Sequence, residues 1–208
     1  MGFKLGKNKV KKTITYKYFP ENNNELKNII REHIDNGIND FNDIDVSNIE
    51  FFWNAFEYCD FEEINVSDWE LTKARELSSM FHGCSNLKKI DVSNWDVSNV
   101  ENTGFMFDGC GELKSIDVSN WNTKKLEVTK YMFYKCEKLQ QIDISNWDVS
   151  NIINMDRMFM FCKNLSNLGN IDNFDSKFKS SRIQISKMFK NTNITPPDWY
   201  SDNIYLIR

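Results

Sequence analysis

The chain has 208 residues, 40% of them hydrophobic, with 16 Phe and 6 Trp, which is ample for a continuous core and excludes wholesale disorder. Its net charge of −4 is unevenly placed: Lys4, Lys7, Lys9, Lys11, Lys12 and Lys17 give the first twenty residues +6 without an acid, leaving −10 on residues 21–208. An acidic body makes a poor nucleic-acid groove, because phosphate neutralisation supplies most non-specific affinity, and no apolar run approaches the ~20 residues that span a bilayer.

Residues 1–37 form a basic arm, then an N-terminal strand and helix that cap the rest of the chain. The arm, residues 1–12, has the charge of a signal peptide but no apolar stretch, and Gly6 stands where a myristoylation motif after Gly2 wants Ser or Thr. The chain as written is therefore expected in the cytoplasm. Residues 13–19, TITYKYF, are β-branched and aromatic and predict one short strand ended by Pro20. Leu26, Ile29, Ile30, His33 and Ile34 then fall on one face of a helix, with Asn24 to cap its start and Gly37 its end. A histidine on that apolar face is expected as a packed core residue rather than a ligand.

Residues 38–168 are a repeat array. LKKIDVSNWDVSNVENTGFMFDGC at 87–110 returns as LKSIDVSNWNTKKLEVTKYMFYKC at 113–136 and as LQQIDISNWDVSNIINMDRMFMFC at 139–162. Cys59, Cys84, Cys110, Cys136 and Cys162 mark the beat at spacings of 25, 26, 26 and 26, and a fixed period in the twenties is the signature of stacked repeats. Each unit reads as two parts. Leu77, Met80, Phe81 and Cys84, like Phe52, Ala55, Phe56 and Cys59 or Met155, Met158, Phe159 and Cys162, are spaced for one side of a two-turn helix. Ile90/Val92, Ile64/Val66, Ile116/Val118 and Ile142/Ile144 alternate with polar residues as a strand with one buried face does. Past Leu165 the pattern decays, so residues 169–208 are expected to be a degenerate last repeat and C-terminal cap.

The pattern L-x-x-I-D-V-S followed by W, closed by M-F-x-x-C-x-x-L, resembles the BspA-type leucine-rich repeats of bacterial surface proteins. The resemblance covers about residues 40–168. It implies an α/β fold: a leucine-rich-repeat solenoid with parallel β-strands on one face, short helices on the other and terminal caps. Family members are often described as surface or adhesion proteins, so the resemblance also offers the cell surface or secretion as the alternative compartment. One departure is plain: Trp69, Trp95, Trp121 and Trp147 stand where the repeat usually buries an asparagine.

Three columns bear on chemistry. The cysteines, one per unit and odd in number, suit small reduced core residues better than metal ligands or disulfides. The tryptophans are either a ladder packed inside the turns or an exposed column for stacking a ligand. Asp91, Asp117 and Asp143, with Asn65 ahead of them, place like charges on adjacent strands, which needs compensation by turn amides, by lysines such as Lys89, or by Ca²⁺. No nucleophile–base pair stands out, and His82 occupies a variable position, so no catalytic residue, metal site or cofactor is expected.

These readings converge on a non-enzymatic protein–protein interaction module. Its partner would sit on the strand face lined by Lys89, Asp91, Ser93, Ser115, Asp117, Ser119, Gln141, Asp143 and Ser145. No nucleic-acid partner or membrane span is expected, and the assembly state is a monomer or an end-stacked dimer. The alternative is a cell-surface adhesin that binds matrix or carbohydrate through exposed tryptophans, with Ca²⁺ as an aid.

Overall fold

The computed structural model of the protein describes residues 14–172, 174–179, 182–202 and 205–207, so the basic arm at 1–12 and Thr13 lie outside the described residues. The first regular element is α1 (Asn23–Asp35), with Leu26, Ile30 and His33 buried. Its cap is Asn22 rather than Asn24: the extended backbone of Asn22 lets its side chain accept from the amides of Asn24 and Glu25 at 3.0 and 3.1 Å. At the other end Gly37, at φ +70, lets Gly37 N–H reach Ile34 O and Ile38 N–H reach His33 O, which closes the helix as the sequence predicts. Of the strand expected at 13–19, the described part contributes one parallel bridge, Tyr18 to Ile44.

From there the sequence period becomes a physical repeat. Parallel bridges join equivalent residues of successive units along two registers. One runs Phe51, Glu76, Asn102, Val128, Asn154, Gln184; the other includes Asp40–Asn65 and Ser115–Gln141–Asn167. Only one stretch of the second register lengthens into a named sheet, where β1 (Glu63–Ile64) pairs in parallel with β2 (Lys89–Ile90).

The Met-Phe segments are not helices. In every unit two residues take left-handed φ: Ser79 and Gly83 (54° and 71°), Phe105 and Gly109 (60° and 79°), Tyr131 and Lys135 (57° and 58°), Arg157 and Phe161 (54° and 66°). A left-handed residue every fourth position breaks the i→i−4 ladder on which a helix depends. The amides alternate instead. Phe81 N–H donates to Met106 O in the next unit at 2.9 Å, while its neighbour Met80 N–H turns back to Leu77 O at 3.3 Å. Phe107 to Met132 O (2.8 Å) and Phe133 to Met158 O (2.9 Å) repeat the outward bond.

This overturns the expected α/β leucine-rich-repeat solenoid. Among the described residues the regular elements are α1, β1, β2, the four-residue α2 (Phe174–Lys177), β3 (Arg182–Gln184) and β4 (Tyr205–Ile207). Among them there is no continuous parallel sheet on one side and no row of helices on the other; most of the chain is turns and irregular backbone. The repeat-strand expectation fails for a local reason as well, because an Asp–Ser turn redirects the chain one residue beyond Ile90.

The apolar periodicity does hold in the core. Ile64, Val66, Ile90, Val92, Ile116, Val118, Ile142 and Ile144 are buried. Phe56, Phe81, Phe107, Phe133, Phe159 and Phe189 stack in one column, with neighbouring centroids 5.1 to 6.4 Å apart and planes within 13° of parallel. Past residue 169 α2 and β3 intervene before the ladder resumes at Phe189, and β3 pairs antiparallel with β4. Trp199 closes this end: its Nε1–H donates to Ile171 O at 2.8 Å and its ring packs on Phe174 and Phe178.

Phe107 is fully buried between Phe81 and Phe133. Replacing it with Ala is expected to cost about 3–5 kcal/mol of stability, measured by urea denaturation. A loss below about 1 kcal/mol places the ring outside the core.

Candidate functional site

Lys89 lies on β2, and Ser115 and Gln141 face each other across a bridge of the same register. Two residues further along each unit come Asp91, Asp117 and Asp143, and two further Ser93, Ser119 and Ser145. Each Asp Oδ1 accepts both the amide and the hydroxyl of the Ser two residues on: 3.0 and 2.7 Å for Ser93, 3.0 and 2.7 Å for Ser119, 2.9 and 2.6 Å for Ser145. Asn65 and Ser67 make the same bracket. This is the turn chemistry of a short acceptor side chain bonding the backbone two residues on, and it explains how like charges recur in a column. At Asp143 the two bonds from Ser145 hold the carboxyl below its usual value. The Lys89 ammonium pairs with Glu63 on β1, and the Asp91 carboxylate also favours its charge.

Two grooves open along this face. One of about 440 Å³ is lined by Ser115, Asp117, Ser119, Gln141 and Asp143, together with Ile116, Ile142, Asn167 and Gly169. The other, about 380 Å³, holds Lys89 and Asp91 with Asp40, Glu63, Asn65 and Ser67. Ser93 and Ser145 line neither groove, and their hydroxyls are spent on the aspartates. Sequence reasoning missed Asp40, Glu63, Asn167 and Gly169. All but Asp40 stand 26 residues from a predicted face residue, so the period itself was the signal. Gly169 ends the Asp column, and a Cβ there would collide with Asp143 Oδ1.

The tryptophan column is internal. Trp69, Trp95, Trp121 and Trp147 are buried, and each indole N–H donates to a carbonyl one unit back: Phe41, Val66, Val92 and Val118, at 2.8 to 3.1 Å. They offer no exposed column to a sugar or matrix ligand. The five cysteines are also buried and unpaired. Cys84, Cys110, Cys136 and Cys162 donate Sγ–H to Phe56, Phe81, Phe107 and Phe133 carbonyls, and burial pushes these thiols up, away from the reactive thiolate. His33 is packed under Phe41, between Ile29 O (2.9 Å) and Asp43 Oδ1 (3.1 Å).

One string of groups went unread in the sequence. Tyr58, left-handed and largely exposed, lies over Gly83, and its hydroxyl is 3.2 Å from His82 Nε2. His82 Nδ1 is 3.2 Å from Asp108 Oδ2, within ion-pair range though off a hydrogen-bond line. Burial raises the Asp108 carboxyl, while His82 and Lys135 pull it the other way. Asp108 stands 26 residues after His82, so the period paired them, but the reach of Tyr58 depends on its left-handed backbone. The string ties three successive units together.

Among the described residues no group of three or more His, Cys, Asp or Glu is placed to hold a metal ion. No helix among them is long and apolar enough to cross a membrane. A family model described as "Mycoplasma protein of unknown function, DUF285" matches residues 24–141 and, overlapping, 106–198. No curated protein and no solved structure matches the chain.

The Asp143 bracket makes a pH prediction. Because its carboxyl is held low, the stability it contributes is present above the ordinary carboxylate pKa and is lost as pH falls through the folded value. Ser145→Ala is expected to raise the Asp143 pKa in a carboxyl ¹³C NMR titration. An unchanged midpoint would show that the Ser145 hydroxyl does not hold the carboxylate.

Proposed function

The chain belongs to the DUF285 family, and from that premise we propose that it is a non-enzymatic protein-interaction module whose acidic face seats a partner. The observation that carries this reading is the lining of the two grooves. Asp40, Glu63, Asp91, Asp117 and Asp143 set five carboxylates against one ammonium, Lys89, which Glu63 already pairs. A concave surface of one sign concentrates ligands of the other, so the partner is a basic, extended stretch of polypeptide. Its variable contacts would be Lys89, Ser115 and Gln141, which differ from unit to unit while the Asp–Ser frame stays constant. The resemblance to BspA-type repeats supports a binding role as well.

The unpaired thiols favour a reducing compartment and with it a cytoplasmic location; the cell surface is the alternative that the resemblance suggests. The working assembly is a monomer, with an end-stacked dimer as the alternative.

Asp91→Asn/Asp117→Asn/Asp143→Asn removes the charge but keeps an acceptor for each serine, as Asn65 does for Ser67. Binding should be compared by capture from cell lysate and from extracellular matrix, once circular dichroism shows both proteins folded. The wild type is expected to hold a basic partner that the triple variant binds about tenfold more weakly or worse, with an affinity that falls as salt rises. A partner held equally by both proteins moves the site off this face.

A further inference from the structure

The first repeat departs from the others where it meets α1. Along the register of Phe51, later units present Glu76, Asn102, Val128 and Asn154. At the place of Trp53 they carry Ser78, Gly104, Lys130 and Asp156. Only the first unit puts two large aromatic side chains there, and they stay 47% and 42% exposed. The Phe ladder does not use them. They line a pocket of about 420 Å³ with Glu21, Asn22, Asn23, Asn24, Asn48 and Glu50.

The polar chemistry of this pocket is one-sided. The amides of Asn24 and Glu25 at the start of α1 are already taken by Asn22 Oδ1, and the Glu25 carboxylate by Glu21 N–H and Asn22 Nδ2. An anion therefore finds the two amides at the start of α1 spent. Acceptors remain. Glu21 and Glu50 have no ion-pair partner among the described residues. Asn23, only 6% exposed, gives its Nδ2–H to Trp53 O at 3.1 Å, while its Oδ1 has no donor. A buried acceptor left unmade is costly and calls for a partner. The indole itself accepts positive charge, since Lys27 Nζ lies 5.2 Å from the Trp53 ring centroid. The other nearby cation, Lys73, is engaged by Asn48 Oδ1 at 2.6 Å.

We propose that this pocket binds a guanidinium group, the side chain of an arginine on a partner protein. A guanidinium carries five N–H donors and no acceptor, is planar, stacks on aromatic faces and sheds water more readily than an ammonium. It matches two carboxylates and two exposed rings, beside a buried amide oxygen that has no donor. A neutral sugar would leave both carboxylates uncompensated. The site lies on the other bridge register from the Asp column, so it stands or falls independently of the acidic face.

The test follows the Trp53 indole N–H peak in ¹⁵N–¹H NMR, assigned by its loss in Trp53→Phe. N-acetyl-arginine amide is expected to shift this peak saturably, with a dissociation constant on the order of millimolar. N-acetyl-citrulline amide, which has the shape without the charge, should bind about tenfold more weakly. Glu21→Gln/Glu50→Gln should weaken the arginine probe about fivefold or more while leaving the amide shifts of α1 in place. The proposal is overturned if the arginine probe leaves the peak unmoved or if citrulline matches it. It is equally overturned if N-acetyl-lysine amide binds as tightly, if glucose shifts the peak in the arginine probe's stead, or if the double variant binds like wild type.

Discussion

The pair of left-handed residues in each Met-Phe turn is the constraint on which the rest of the structure depends. A non-glycine residue in that region costs about 1–2 kcal/mol, and ten of the described residues adopt it. What the conformation gains is direction. By breaking the intrasegment ladder it points every second amide at the next unit, so Ser79, Phe81 and Gly83 bond to Gly104, Met106 and Asp108 carbonyls. One such bond and one ring stack together contribute about as much as one left-handed residue costs. The parallel alignment of the Phe column is a consequence, because bonds at a constant offset fix each ring over its equivalent.

The same constant offset builds the surfaces. Once units are locked one period apart, any residue type that recurs in the sequence becomes a line in space. The Asp–Ser brackets become an acidic row, and Glu–Lys pairs one unit apart, such as Glu62–Lys88, Glu112–Lys138 and Glu137–Lys163, become cross-unit ion pairs. These pairs are exposed and individually worth little, and they spend their lysines on glutamates rather than on the Asp row. The repeat is broken at its ends. Phe51 and Trp53 depart from it at the first unit, and Gly169 departs from it where the Asp row stops.

Much of this was legible in the sequence, and the exceptions have physical reasons. The period, the buried Phe, Cys, Ile and Val columns and the Asp row follow from the sequence pattern, whereas that pattern left the Trp column open between a packed ladder and an exposed one. The conformation of the Met-Phe turns does not. Leu77, Met80, Phe81 and Cys84 sit at helical spacing, yet a turn with two left-handed residues buries the same set. Gly83 and Gly109 mark the second left-handed position, but Lys135 and Phe161 hold it without glycine, and Ser79, Phe105, Tyr131 and Arg157 hold the first. Seven of the nine predicted face residues line the two grooves, while Ser93 and Ser145 brace the aspartates. The aromatic pocket was not legible, because Trp53 lies outside the tryptophan column and no later unit repeats it.

Native-state hydrogen exchange tests the stacking of units most directly. If the outward amides bond to the next unit, Leu77, Ser79, Phe81 and Gly83 should exchange slowly, together with Thr103, Phe105, Phe107 and Gly109, as one cooperative block. Rapid exchange at these amides, with protection confined to α1, would contradict it, and the acidic row that depends on the stacking would lose its basis.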